Sequence, residues 1–269
     1  MRAKKSLGQH FLKSERALST IIEAGNVGAE DIVFEIGPGT GVLTEKILNT
    51  GAKVVAIEKD DALFESLKEK FEKEISSSQL RLIHGDILKF DLSELIINKY
   101  KLVANIPYNI TGTILKKFLE TNRQPEKMVL LVQKEVAERI VSRPSHRVTG
   151  DGKESILSMS VKAYGTPRYV ETVKAGSFVP VPKVDSAIIA IENISKKFFD
   201  NLPENEFFEM LRAGFKSKRK KLSSNLSTIF EKGEVQKVFQ KLKLDENLRA
   251  EDIGVEIWQK IAQNLLNRG

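Results

Sequence analysis

The sequence contains no cysteine, which excludes disulfides, thiolate nucleophiles and cysteine-held metals. Its three histidines, His10, His84 and His146, lie far apart and make no metal site. No stretch approaches the roughly 20 apolar residues that a membrane-spanning helix needs. There is no low-complexity tract and no internal repeat. The first residues, Met1 to Lys5, are basic but run into Leu7-Gly8-Gln9-His10, so the hydrophobic region of a signal peptide does not follow. These absences lead us to expect a soluble, cytoplasmic protein with no membrane association.

What is present suits a globular chain. The 269 residues are 41% hydrophobic and 29% charged, enough for one large domain with a smaller appendage. The net charge of +7 is unevenly spread. Arg2, Lys4, Lys5 and Lys13 face no acid in the first 13 residues, and Lys216, Lys218, Arg219, Lys220 and Lys221 form a second cluster. Clustered cations attract phosphate backbones by releasing counterions. On charge alone, solvated basic segments are an equal reading.

Hydrophobic periodicity divides the chain. Ser14 can cap a helix through Leu18, Ile21 and Ile22 that stops at Gly25. Asp31 to Ile36 reads as a buried strand, and Val42, Leu43, Ile47 and Leu48 then carry helical spacing up to Gly51. Further strands are expected at Lys53 to Ile57, Leu80 to Ile83, Leu102 to Ala104 and Met128 to Val132. Helices are expected at Asp61 to about Ile75, Thr111 to Leu119 and Glu135 to Val141. Such alternation predicts a doubly wound, mostly parallel sheet. Arg143 to Glu154 reads as an exposed loop, Ile156 to Ala163 as a helix, and Tyr169 to Val173 and Ala187 to Ile191 as closing strands. From about Pro203 the period is helical. We therefore expect an α/β domain over residues 1–200 and a small helical domain over residues 201–269, the latter for binding RNA or the ribosome.

Glu35-Ile36-Gly37-Pro38-Gly39-Thr40-Gly41 follows the first long strand, where open α/β sheets bind ligands. Gly37, Gly39 and Gly41 permit tight turning and close backbone approach. A dinucleotide fingerprint would need glycine at position 42, which is Val42. Glu58 ends the second strand 21 residues after Gly37, placed to accept from both ribose hydroxyls of an adenosine ligand. Asp86 follows the third strand, placed to accept from an adenine amino group. Each feature alone has a structural reading, as a turn or an acidic strand end. Their order resembles that of class I S-adenosylmethionine methyltransferases, with a Rossmann-like sheet.

Asn105-Ile106-Pro107-Tyr108 follows the fourth strand at the same edge. The exocyclic amine of adenine is a poor nucleophile, because its lone pair is delocalised into the ring. Hydrogen bonds to Asn105 Oδ1 and to a backbone carbonyl held by Pro107 favour a pyramidal, reactive nitrogen. Tyr108 can stack on the base, worth roughly 1–3 kcal/mol. Phe178, in Phe178-Val179-Pro180-Val181-Pro182, is either the opposite wall for an extruded base or a core residue beside a rigid turn.

With Gly8-Gln9-His10-Phe11-Leu12, Phe178 to Ala187 and Phe215 to Leu222 added, the chain resembles, nearly end to end, the KsgA family of ribosomal RNA adenine dimethyltransferases. The resemblance implies dimethylation of two adjacent adenosines in the 3′-terminal hairpin of 16S rRNA, within an immature small ribosomal subunit, by a monomer. S-adenosylmethionine would be the cofactor and S-adenosylhomocysteine the product, with no metal. It implies that Gln9, His10 and Leu12 close over the cofactor, which Gly37, Glu58, Asp86 and Asn105 contact. Many relatives carry asparagine where His10 stands, and the loop after Arg143 lacks a tyrosine expected before its glycine. The alternatives are an Erm-type methyltransferase of 23S rRNA and a ribosome-assembly factor whose catalysis is dispensable.

Overall fold

The computed structural model describes residues 9–94, 99–142 and 153–266. The chain opens with a short strand β1 (Phe11–Leu12) and helix α1 (Glu15–Gly25). Ser14 caps α1 by accepting from the Ala17 N–H at 3.3 Å, and Asn26 closes it in the left-handed conformation. The next elements are β2 (Ile32–Ile36), α2 (Val42–Leu48), β3 (Lys53–Glu58), α3 (Asp61–Lys70), α4 (Glu72–Ser76) and β4 (Leu80–His84). Then come β5 (Lys101–Asn105), α5 (Thr111–Glu120), β6 (Lys127–Gln133) and α6 (Lys134–Val141). Past α7 (Ile156–Lys162), the strands β7 (Thr166–Val173), β8 (Phe178–Val179) and β9 (Ser186–Glu192) complete the β structure.

Seven strands form one sheet in the order β4-β3-β2-β5-β6-β9-β7. The first five are mutually parallel, and β9 runs antiparallel to both β6 and β7. The parallel strands are near-continuous apolar runs because helices cover both faces. On one face Leu18, Ile21 and Ile47 join Val33, Val54, Val103 and Val129 in a single buried cluster. On another side Phe34 meets Tyr100 edge-on at 6.3 Å and Phe118 at 5.8 Å. The order reverses at β2, whose neighbours are β3 and β5. That reversal opens a crevice beyond the carboxyl ends of β2 and β5. Ile36 pairs with Ala104, so Gly37 and Asn105 leave the sheet at the same level.

The chain separates into two compact units, Met1–Ala137 with Thr166–Ile194, and Glu138–Gly165 with Ser195–Gly269. The sequence boundary near residue 200 thus lies close to the second crossing, but residues 138–165 also group with the helical unit. That unit includes α8 (Glu204–Gly214), α9 (Leu222–Leu226), α10 (Lys232–Lys241) and α11 (Val255–Leu265). Phe199, Phe207 and Phe208 interleave with Tyr164 at centroid distances of 5.1–5.9 Å. Trp258 is fully buried and stacks on Phe215 at 5.7 Å.

Two features depart from the periodicity. The single helix expected from Asp61 to Ile75 breaks at Phe71, which sits at φ −114°, ψ 30°. Phe71 is buried, and its ring fills the space that a Cβ on Gly41 would occupy. Burying that ring beneath the glycine turn outweighs continuing the helix. The other is the ribbon of β1 and β8, in which Phe11 pairs with Val179 and Leu12 with Phe178. It ties the N-terminal arm to the Phe-Val-Pro-Val-Pro segment. The expected loop at Arg143 to Glu154 lies outside the described residues except for Lys153 and Glu154, and Glu154 is buried.

Candidate functional site

The crevice is a cavity lined by the arm from Gln9 to Leu12, the loop from Gly37 to Thr40, and the ends of β3, β4 and β5. Gly37, Gly39 and Gly41 all have positive φ, at 64°, 62° and 77°, a region that disfavours side chains. Their surroundings differ. A Cβ on Gly37 would meet nothing within 4 Å, so the backbone there is open to a ligand. A Cβ on Gly39 would lie 3.1 Å from the Phe11 ring. Gly41 does not line the cavity, and its Cβ would sit 2.6 Å from Phe71 and 2.8 Å from Leu67. Gly41 packs against the α3 side chains and is the N-cap of α2.

Glu58 is 5% exposed, and its carboxylate secures the loop. Oε2 accepts from the Gly39 N–H at 3.0 Å, and Oε1 accepts from the Lys59 and Asp60 N–H groups at 2.9 Å each. A carboxylate offers about four lone-pair sites, so Oε2 retains room for one ribose hydroxyl rather than two. Asp86 Oδ2 accepts from Lys59 Nζ at 2.9 Å, and Oδ1 accepts from the Leu88 N–H at 2.9 Å. Partial burial pushes its pKa up, but these bonds and the charges of Lys59 and Lys89 outweigh that and hold it below the usual value. Asp86 is therefore a charged acceptor at the cavity wall, between Gly85 and the apolar Ile87.

Glu35 was not anticipated as a site residue. It lines the cavity at 1% exposure, and burial raises its pKa to about 8, with a further upward push from Glu58. Neither Glu35 Oε2 nor Thr44 Oγ1 has a hydrogen-bond partner of proper geometry, so the Thr44 hydroxyl offsets the burial only in part. The signal was in the sequence, since an acid within Ile-Val-Phe-Glu-Ile must be buried with the rest of its strand. An unpartnered Glu35 oxygen, an open glycine cradle, a charged acceptor and apolar walls at Ile57 and Ile87 together fit a ligand that carries an adenosine. Among the described residues no His, Asp and Glu side chains group to hold a metal ion, and no helix is long and apolar enough to cross a membrane.

At the other end of the cavity, Asn105 Nδ2 donates to the His10 carbonyl at 3.0 Å, which leaves Oδ1 as an acceptor. Pro107, at φ −54°, starts a tight turn whose carbonyl accepts from the Ile110 N–H at 3.1 Å. The Tyr108 hydroxyl bonds Ser186 Oγ at 2.8 Å, and burial pushes its pKa up, so the phenol stays neutral. Gln9, His10 and Leu12 all line the cavity with these residues, and Gln9 Nε2 donates to Asp60 Oδ2 at 3.4 Å. Of the two readings of Phe178, wall or core residue, the structure places it in the core. It is 1% exposed, belongs to the buried cluster and does not line the cavity. Pairing with Leu12 turns its ring into the core, while Val179 and Val181 stay exposed.

In the helical unit, Lys216, Lys218, Arg219, Lys220 and Lys221 are all exposed in the turn between α8 and α9. Asn225 shapes that turn by donating to the Gly214 and Ser217 carbonyls at 2.6 and 3.1 Å. Lys4 and Lys5 lie outside the described residues.

Comparison with known proteins accounts for the arrangement. The family model for ribosomal RNA adenine dimethylase matches residues 1–266. A ribosomal RNA small subunit methyltransferase A of Dehalococcoides mccartyi is 41% identical over 97% of this chain and 88% of its own length. Its namesake from Thermosynechococcus vestitus is 37% identical over 98% of this chain and 97% of its own. A dimethyladenosine transferase structure from Plasmodium falciparum superposes with a TM-score of 0.80 at 28% identity, covering 94% of this chain and 96% of the other. The 23S rRNA methyltransferase ErmE shares the fold, with a TM-score of 0.73 at 22% identity over 96% of this chain and all of its own. The glycine cradle, the acids of β2 to β4 and the asparagine turn after β5 thus stand in a chain that belongs to the ribosomal RNA adenine dimethylase family.

Proposed function

We propose that this protein dimethylates the exocyclic amines of two adjacent adenosines in the 3′-terminal hairpin of 16S rRNA, using S-adenosylmethionine and releasing S-adenosylhomocysteine. The observation that carries the reading is Asn105, whose Nδ2 is held by the His10 carbonyl so that Oδ1 alone is left to accept. Two features support the substrate: the relatives named as small-subunit methyltransferases and the exposed basic turn from Lys216 to Lys221.

When bound, S-adenosylmethionine supplies a methyl group already activated by its sulfonium. The chain's task is then alignment and electrostatics. Gly37 lets the backbone approach the ligand, Glu58 Oε2 accepts a ribose hydroxyl, and Asp86 accepts from the ligand's adenine amine. For the target base, Asn105 Oδ1 and the Ile106 carbonyl accept from the amine and draw its lone pair out of the ring. The Ile106 carbonyl takes this role because the Pro107 carbonyl is already engaged by Ile110. Tyr108 stacks on the base. The lysines and arginine of the α8–α9 turn, with Lys4 and Lys5, hold the RNA backbone of an immature small subunit.

Asn105→Ala tests the central role. Methyl transfer should fall by at least about 100-fold, the scale for losing one group that stabilises developing charge, while RNA binding stays within about twofold. Near-normal turnover in the variant would remove Asn105 from the reaction.

A further inference from the structure

The loop after β4 carries one wall of the cavity, since Gly85, Asp86, Ile87 and Leu88 all line it. It opens on a glycine, whose backbone is the most permissive of any residue, so its path must be set from further along. Asp86 shapes the turn itself. Its carbonyl accepts from the Lys89 and Phe90 N–H groups at 2.9 Å each, and its Oδ1 from that of Leu88. Those bonds are internal to the loop and do not fix where it sits against the sheet.

Contacts with β2 and α5 supply that placement. Phe90 stacks on Phe34 of β2 at 6.4 Å, and Phe118 of α5 packs on the same ring at 5.8 Å, so loop and helix lie side by side. Next to Phe118, Lys117 reaches from α5 to the main chain of the loop. Its Nζ donates to the Phe90 carbonyl at 2.6 Å and to the Leu88 carbonyl at 3.5 Å. Lys116 is exposed and pairs with Glu120, whereas Lys117 is half-buried and forms no ion pair among the described residues. One ammonium, with three donors, thus draws two carbonyls of the loop to a single point. That point belongs to a helix whose Ile114, Leu115, Phe118 and Leu119 are all buried.

We infer that Lys117 is a positioning residue for the adenine of the cofactor: by tying the Leu88 and Phe90 carbonyls to α5, it holds Asp86 at the separation from Glu58 that an adenosine requires. This rests on the S-adenosylmethionine reading above, in which Asp86 accepts from the adenine amine and Glu58 from a ribose hydroxyl. Lys117 does not itself line the cavity. Its influence passes through the loop, so its loss is felt where the ligand meets Asp86 and not over the ligand as a whole.

Calorimetry on the full chain tests this with two ligands, S-adenosylhomocysteine and its inosine analogue, in which oxygen replaces the amine that Asp86 accepts from. Lys117→Met keeps the stem and removes the donors, and Lys117→Arg keeps donors; each is first shown to melt cooperatively. Lys117→Met should weaken S-adenosylhomocysteine about tenfold, the low end for a hydrogen bond to a charged group, and the analogue by less than about twofold. Lys117→Arg, which still presents charged donors, should stay within about threefold of wild type for both ligands. If the methionine variant does not melt cooperatively, Lys117→Gln, with a neutral donor, serves the same comparison. Unchanged affinity for S-adenosylhomocysteine, or an equal loss for both ligands, overturns the inference and leaves the proposed function standing. A wild type that binds neither ligand overturns the S-adenosylmethionine reading and the inference with it.

Discussion

Glu35 carries a consequence that reaches beyond the cavity. Its carboxyl titrates near 4.5 when exposed and at about 8 in the fold, mainly through burial. Between those values the folded protein binds more protons than the unfolded chain, so stability falls as pH rises. The contribution is fully present below about pH 4.5 and is lost by about pH 8. Glu35→Gln removes that slope, so its melting temperature should gain on wild type steadily from pH 5 to pH 8. A constant difference across that range would show that Glu35 is charged throughout. At this scale the sequence was legible in placing Glu58, Asp86, Asn105 and Tyr108 at one sheet edge, where they line the same cavity. It was silent where the role depends on which way a ring turns. Phe178 and His10 are both aromatic residues of motif segments, and only the pairing of the arm with the Phe178 strand separates core from cavity.

The elements explain why three glycines in one loop are not equivalent. Gly37 faces open space, whereas Gly41 lies against Phe71 and Leu67. Both have positive φ, so alanine at either costs about 1–2 kcal/mol in the backbone. Gly41→Ala should lower the melting temperature further, because its Cβ also displaces the Phe71 ring, with little effect on cofactor affinity per folded molecule. Gly37→Ala should show the reverse balance: a smaller loss of stability and at least tenfold weaker cofactor binding by calorimetry. Equal effects of the two on both measurements would contradict this division. The parallel strands were readable because burial on both faces makes them continuous apolar runs, and α1 because Ser14 and Gly25 mark its ends. The β1–β8 ribbon was not, since two-residue strands carry no periodicity. The α3–α4 break was hidden because Phe71 keeps an acceptable helical sequence on either side.

For the whole molecule, the positive charge is concentrated rather than spread. A net charge of +7 on 269 residues is modest, but five cations are exposed together in one turn of the helical unit. Among the described residues none of the five forms an ion pair, which leaves them available to phosphates. Replacing Lys218, Arg219, Lys220 and Lys221 with glutamine should weaken RNA binding and flatten its dependence on salt. The slope should fall by about 0.7–0.9 for each phosphate that the variant no longer neutralises. An unchanged slope would place the RNA elsewhere. The helical unit was legible from about Pro203 onward, but the grouping of residues 138–165 with it was not, because tertiary packing and not local pattern decides that membership.

The most direct measurement supplies the purified protein with labelled S-adenosylmethionine and either unmethylated small subunits or large-subunit RNA, and then maps the modified base. The account predicts dimethyladenine at two adjacent positions in the 3′-terminal hairpin of the small-subunit RNA. Label confined to large-subunit RNA, or binding of the small subunit without any methyl transfer, would contradict it.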